Sequence, residues 1–447
     1  MKRYDNYTDS GIEWIGDIPD HWQLKKIKHT TYVKGRIGWQ GLRADEFLES
    51  GDSYVVTGTD FENGRITWST CYQITKDRYD EDPFIQLKEN DLLITKDGTI
   101  GKIALVKGIP GIATLNSGIF VTRPKSSDYI TEFMFWILQS DVFNSFFNNN
   151  KSGSTILHLY QNVFNEFKFV CPPLSEQVQI AKYLDKKTTQ IDKLIADKQK
   201  LIELLDEEQI AMINRAVTKG LDPNIPMKDS GVNLLGVIPK HWGRLRIKSL
   251  VSTKVCDGPH ETPKWVESGI PFISAEAIKN GKVELAFKRG YISEAQHIEY
   301  SKKSKVISGD ILFCKSGSTT GKSAIVCNEA EFGIWSPLAI IRANRIKINN
   351  HFLFQVIQST FFRRQVETSW TFGTQPNIGM GALENLWVPL PPIKEQLEII
   401  TYLKDQNDLI EKTISKIQQE IELLKEYKAA LISEVVTGKF DVRDEII

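Results

Sequence analysis

The chain has 447 residues, 41% of them hydrophobic, which is room for more than one sizeable core and for two to four domains by length. Lys and Arg (56) balance Asp and Glu (56), so no global basic excess marks a nucleic-acid binder, although local basic faces stay open. The 5 cysteines are odd in number and form no CxxC pair, and neither an apolar leader nor a long apolar run is present, so a disulfide scaffold, a zinc knuckle, secretion and membrane spanning are not expected and a reducing cytoplasm is.

In chain order the first distinctive phrase is "IGDIPDHW", Ile15 to Trp22, and it returns as "LGVIPKHW", Leu235 to Trp242. His21 to His241 is 241 − 21 = 220 residues, and "DSG" precedes the phrase both times, at Asp9 and Asp229. A histidine tied to Pro and Trp by a local phrase reads as a structural plug, and Trp22 and Trp242 as buried. Basic runs at Lys25, Lys26 and Lys28, at Arg244, Arg246 and Lys248, at Lys302, Lys303 and Lys305, and at Arg363 and Arg364 each read as solvated faces.

Further on, "NDLLITKDGTIGK" from Asn90 answers "GDILFCKSGSTTGK" from Gly309. Both have the form of a β-hairpin whose turn places glycine where φ must be positive. The stretch "GSTTGKS" from Gly317 looks like a phosphate-binding loop, but that loop needs four residues between its first Gly and the GK, and here there are three. A hairpin turn is the expectation. "YITEFMFWILQSDVFNSFF" and "HFLFQVIQSTFFRRQV" have helical apolar spacing, so each copy opens with a mixed α/β domain.

"CPPLSEQVQIAKYL" from Cys171 returns as "LPPIKEQLEIITYL" from Leu390, and after each double proline the pattern changes. No Pro or Gly occurs from Ser175 to Lys219 or from Lys394 to Thr437, which predicts two helices of roughly 65 Å. Leu403, Asn407, Ile410, Ile414, Ile417, Ile421, Leu424, Lys428, Leu431 and Val435 lie on a mostly apolar 4-3 seam. At an offset of 219 (403 − 184) the first helix supplies Leu184, Thr188, Ile191, Ile195, Lys198, Ile202, Leu205, Gln209, Met212 and Ala216. Each helix is too long for one small domain, and connectivity makes the pair antiparallel, with the two copies related by a pseudo-two-fold axis. "AVTKGLD" from Ala216 and "VVTGKFD" from Val435 close the copies, with the glycine displaced by one residue between them.

No catalytic apparatus is visible. An amine methyltransferase would need N/D-P-P-Y/F, whereas the double prolines read "CPPL" and "LPPI". "YDEDPF" with "LKEN" reads as a charged turn rather than a nuclease cluster, and the 7 histidines are dispersed.

Taken together, "GxIPxHW", the glycine hairpin, "PPxxEQxxIxxYL" opening a long helix and "VTG" or "VTKG" closing it, all repeated in order, resemble the specificity subunit of type I restriction-modification systems over essentially the whole chain. The resemblance implies an α/β (α+β) protein with two target-recognition domains, 1–172 and 222–391. These would be separated by two long antiparallel coiled-coil helices, 173–221 and 392–447, the latter with a C-terminal tail. It implies a non-catalytic cytoplasmic subunit with no cofactor of its own. Its partners would be double-stranded DNA, two modification subunits that bind S-adenosylmethionine, and ATP-dependent restriction/translocase subunits.

The two copies diverge at "VKGRIGWQGLRADE" (Val33 to Glu46) and "KVCDGPHETPKW" (Lys254 to Trp265), the second of which is similar to a D-G-x-H-x-T-P element of some family heads. Lys34, Arg36, Trp39, Gln40 and Arg43 in one head and Asp257, His260, Thr262 and Lys264 in the other are therefore expected near DNA. Arg and Gln suit guanine and adenine edges, and Thr a thymine methyl. The hairpin turns with Lys96, Thr99, Lys315 and Ser318, and the polar loops with Ser154, Thr155, Thr374 and Gln375, are further candidates, for phosphate contact or for turning the chain. The alternative is a two-headed scaffold without DNA readout.

Overall fold

The computed structural model describes residues 2–36, 41–150, 158–327, 331–370 and 375–446. The chain divides into two compact units, of which one is discontinuous in sequence and the other a single stretch. One comprises Met1–Lys198 with Gln419–Ile447, the other Gln199–Gln418.

In the first unit, Leu92–Thr95 is the inner strand of a four-stranded sheet ordered Ile103–Leu105, Leu92–Thr95, Ile119–Pro124, Thr31–Gly35, with every pair antiparallel. All four residues of "LLIT" are buried because both faces of the sheet are covered. Leu92 and Ile94 face the helices Thr131–Gln139 and Asp141–Asn149, packing with Phe133, Ile137 and Phe143. Leu93 faces the other way, into a second core with Val56, Leu115 and Ile85. That second core is roofed by a sheet in which Ser53–Val56 pairs in parallel with Ala113–Leu115 and antiparallel with Tyr72–Ile74.

The second unit repeats the plan. Its four-stranded sheet runs Ser323–Ile325, Ile311–Cys314, Leu338–Ile341, Cys256–Asp257. Ile311 and Phe313 belong to one core, Leu312 and Cys314 to the other. The hairpin expectation holds in both units: Ile94 lies opposite Ile103 and Leu312 opposite Ala324, while Gly98, Gly101, Gly317 and Gly321 all have positive φ. "GSTTGKS" is thus the turn between two strands, not the strand-to-helix loop that nucleotide binding requires.

The long helices span Leu174–Lys219 and Ile393–Val436. In the first unit the start of one packs against the end of the other, with Leu184 and Ile191 in the same core as Leu431, Ile432 and Val435. Asp192 pairs with Lys428 and Lys198 with Glu420, so contacts that climb one helix descend the other, and the packing is antiparallel as the connectivity predicted. In the second unit Leu403 and Ile399 share a core with Ala216 and Val217, and Gln209 bonds Asn407 at 3.2 Å.

The repeated phrase is what fastens head to helix. Strand Gln23–Lys26 pairs with Lys168–Cys171, which delivers the chain through Pro172 and Pro173 into the first helix. On its first turn, Glu176 accepts hydrogen bonds from Trp22 Nε1 (3.1 Å) and Tyr4 Oη (3.0 Å), and His21 Nε2 lies 2.8 Å away. Gln177, fully buried, bonds the Pro172 and Asp128 carbonyls and accepts from Ile130 N, tying that turn to the next helix of the head. The second unit uses Glu395 for His241 and Trp242 and Gln396 for Asn349 N. "EQ" after the double proline is therefore a pair of anchors, buried in the first unit and with the glutamate part-exposed in the second. The plug reading holds for Trp22 and Trp242, which are buried, whereas His21 and His241 are exposed and reach in only to the glutamate.

The same phrase also seats the far end of the opposite helix. Gly438, at φ +75°, lies so close beneath Pro19 that a Cβ would come 2.5 Å from its Cδ and 3.0 Å from the Trp22 ring. Gly220, at φ +78°, lies beneath Trp242 and Pro239 in the second unit. The one-residue displacement of the glycine does not move this contact: at the 219-residue offset the first helix runs two residues further, to Lys219 against Val436 (436 − 219 = 217), and both glycines take the left-handed conformation. Among the described residues no helix is long and apolar enough to cross a membrane.

Candidate nucleic-acid interface

In the second head, "DGPHETPKW" leaves the edge strand of the four-stranded sheet at Asp257. The Asp257 carboxylate is buried, 1% exposed, and gathers three partners: Lys303 Nζ at 2.6 Å, Lys315 Nζ at 3.2 Å and His260 Nε2 at 3.0 Å. Burial alone would raise its pKa, but the hydrogen bonds and charges of Lys303 and Lys315 outweigh burial and hold it below the usual carboxylate range. The next position must be glycine, because a Cβ on Gly258 would sit 2.1 Å from the Ile334 carbonyl oxygen.

Beyond it the loop is held at several points. Ser336 N donates to the Pro259 carbonyl, and Tyr300 Oη donates to Glu261 at 2.8 Å. Trp265 lies flat against Gly290 and edge-on to Trp335. Between these anchors His260, Thr262 and Lys264 are exposed. The hairpin turn joins them through Lys315, whose backbone carbonyl accepts from Ile378 N, while Gly317 N and Thr320 Oγ1 both donate to the Pro376 carbonyl. Exposed Ser318 and Gln375 sit on this joint. The structure thus brings Asp257, His260 and Lys315 to one carboxylate and sets the other described candidates of this head on the segments it ties together. Thr374 lies outside the described residues.

In the first head, Lys34 is exposed with its ammonium 5.6 Å from the Phe84 ring centre. Lys96 lies 5.2 Å from the Phe120 ring centre, and its carbonyl accepts from Leu159 N. Thr99 is exposed, and the neighbouring Asp97 pairs with His158 at 2.5 Å. Arg43, 76% exposed, opens a short 3-10 turn closed by Glu46. Trp39, Gln40, Ser154 and Thr155 lie outside the described residues.

One expectation needs correction. Arg36, expected at a base edge, is 2% exposed: its Nε donates to the Leu115 carbonyl at 3.1 Å, burial pushes its pKa down, and among the described residues its Nη1 has no partner. The sheet register explains it. Gly35 lies opposite Phe120 as Asp257 lies opposite Ala339, so Arg36 occupies the place of Gly258, and Leu115, like Ile334, supplies the carbonyl at that spot. One head fills the crevice with a guanidinium, the other with bare backbone. Asp257, also expected near DNA, is a buried carboxylate held by two lysines.

Arg36→Ala is therefore expected to destabilise the first head by about 1–3 kcal/mol, through the cavity and the orphaned carbonyl, and to leave the methylated sequence unchanged. A changed sequence at unaltered thermal stability would restore Arg36 as a base reader. Sequence reasoning missed Lys303, Tyr300 and Glu261 as organisers of the loop. The only signal was the basic run at Lys302, read as a solvated face. Among the described residues no group of His, Cys, Asp and Glu could hold a metal ion.

Two heads with one plan and different edge loops, each bolted to a long helix, can now be set beside known proteins. The family model described as "Type I restriction modification DNA specificity domain" matches twice, at residues 19–204 and 239–423. The chain belongs to that family. It is a type I specificity subunit, and DNA recognition is the role the family implies. It is 26% identical over 444 residues to the Type I restriction enzyme MjaVIII specificity subunit of Methanocaldococcus jannaschii, covering 96% of this chain and 95% of that one. The HsdS subunit from Thermoanaerobacter tengcongensis shares its fold, with a TM-score of 0.56 at 16% identity, covering 95% of this chain and 98% of that one. A chain from a structure on complex assembly and conformational transition of the type I R-M system gives a TM-score of 0.69 at 15% identity, covering 94% and 98%. Both specificity matches run from the repeated phrase, through the edge loop and hairpin, into the long helix, so the candidate residues of both heads fall inside them.

Proposed function

We propose that this specificity subunit reads a bipartite, asymmetric DNA site, with residues 1–172 and 222–391 as target-recognition domains that each read one half. In this reading 173–221 and 392–447 fix the spacing and dock two methyltransferase subunits, which bring S-adenosylmethionine, while ATP-dependent translocase subunits bring cleavage. The observation that carries it is the contrast at the sheet edge: strand order and register are shared, yet the residues leaving that edge are unrelated. A shared frame with divergent loops is what two half-sites of different sequence require. Docking is supported by apolar side chains left exposed on the helices, Leu194, Leu423 and Tyr427 in the first unit and Leu201, Leu204 and Leu409 in the second.

The test is methylome sequencing of cells carrying the subunit with its partners, wild type against Thr262→Ala and Lys264→Ala. Relaxation of one half-site only, by roughly 1–3 kcal/mol per lost base contact, is expected. Equal weakening on all sequences would make these residues phosphate contacts, and an unchanged methylome would remove the loop from the interface. Gln40→Ala should act on the other half alone.

A further inference from the structure

Among the groups that the DNA reading leaves without a role, the Asp257 cluster stands out because its charges do not balance. One buried carboxylate faces two ammonium groups, so the cluster is positive by one, and by two when His260 is protonated. The two lysines are not equivalent. Lys315 is 12% exposed and is committed to the hairpin joint, whereas Lys303 is 55% exposed. An ammonium has three donors, and Lys303 spends one of them on Asp257 Oδ1, which leaves two without a hydrogen-bond partner among the described residues.

The Lys303 position is fixed from both sides. Its helix, Glu294–Ser304, begins with Ser293 capping Gln296 N, and one turn before Lys303 it holds the reading loop through Tyr300 and Glu261. Neighbouring Lys302 is different: it is 69% exposed and its partner is Glu299 on its own helix.

We propose that Asp257 is a positioning residue that meets no DNA itself and holds the Lys303 ammonium as the clamp for one backbone phosphate of the second head's half-site, with Lys315 tying the hairpin to the same point. A lysine on a flexible stem loses side-chain entropy when it binds, and a carboxylate that has already fixed its terminus removes part of that cost. The ligand is a phosphodiester, and the clamp sets the register in which Thr262 and Lys264 meet the groove. The proposal rests on the DNA-reading function above.

The test measures binding of a mixed-sequence duplex by the full chain with its modification subunits, across a salt series, for wild type, Asp257→Asn, Lys303→Gln and Lys302→Gln. Lys303→Gln is expected to make the slope of log affinity against log salt shallower by about 1, with Lys302→Gln close to wild type. Asp257→Asn separates positioning from simple charge, because it removes a negative charge. Simple electrostatics predicts tighter binding; lost positioning predicts weaker binding and a slope shallower by about 1.

Tighter or unchanged binding by Asp257→Asn, or equal slope losses at Lys302 and Lys303, overturns the proposal. Should Asp257→Asn fail to fold, the Lys303 and Lys302 variants decide alone, since both residues are exposed. A wild-type complex that binds this duplex with the expected slopes while its methylome shows no sequence preference would sink base reading and leave the phosphate clamp standing.

Discussion

Glu176→Ala is expected to destabilise the first unit by about 3 kcal/mol. The carboxylate accepts from Trp22 and Tyr4, which are 4% and 5% exposed, so its removal strands two buried donors at about 1–3 kcal/mol each. Glu395→Ala is expected to cost the second unit less. It has no tyrosine partner there, its side chain is 20% exposed against 10% for Glu176, and His241 can turn to water. Thermal unfolding of each variant followed by hydrogen exchange locates the loss. Equal effects of the two substitutions, or a loss at Glu176 no larger than a surface pair's ~0.5 kcal/mol, would show that the phrase packs by its apolar rings alone.

The second large effect concerns the half-chain, residues 1–221, which is expected to form a homodimer and, with the modification subunit, to methylate a palindrome of the first half-site. The first unit is finished by the end of the second helix, through Leu431, Ile432, Val435 and Val436, and by Val442 beyond it, whose place (442 − 219 = 223) the fragment leaves empty. At the 219-residue offset the first helix carries Met212, Ile213, Ala216 and Val217, a nearly equal set, and a second copy can supply them. Val435 replaced by Ala216 loses two methyl-sized groups, roughly 1.5 kcal/mol at about 0.8 each. Lys428 becomes Gln209 and Glu420 becomes Leu201, which removes two exposed pairs worth little apiece. Association is weakened, not abolished. Sedimentation of the purified fragment and methylation mapping read the two steps. A stable monomer, or a dimer whose complexes still modify asymmetric sites, contradicts the expectation.

The repeat, the hairpins and the helices were legible because each has a local signature: glycines at positive φ, apolar alternation, a seam every 4-3 residues. The seam was legible even at its weak point, where Lys198 finds Glu420 instead of an apolar partner. The buried charges of the heads were not legible. Asp257 is neutralised by lysines 46 and 58 residues (315 − 257) further along, and nothing local distinguishes Lys303 from Lys302. Arg36 misled for the converse reason. An arginine between glycines looks like a surface reader, and only the pairing of Gly35 with Phe120 carries it inward, to the Leu115 carbonyl.

The discontinuous first unit sets an order on biosynthesis. Residues 199–418 form a unit nested within the other, so everything the second unit needs has left the ribosome while the first still lacks Gln419–Ile447. Until those last residues are made, Tyr183, Leu184 and Ile191 have no covering helix from their own chain. The head translated first is thus the one completed last, the reverse of the usual N-terminal-first sequence. A nascent chain stalled before Gln419 carries an apolar strip that invites chaperones or the corresponding strip of another unfinished copy.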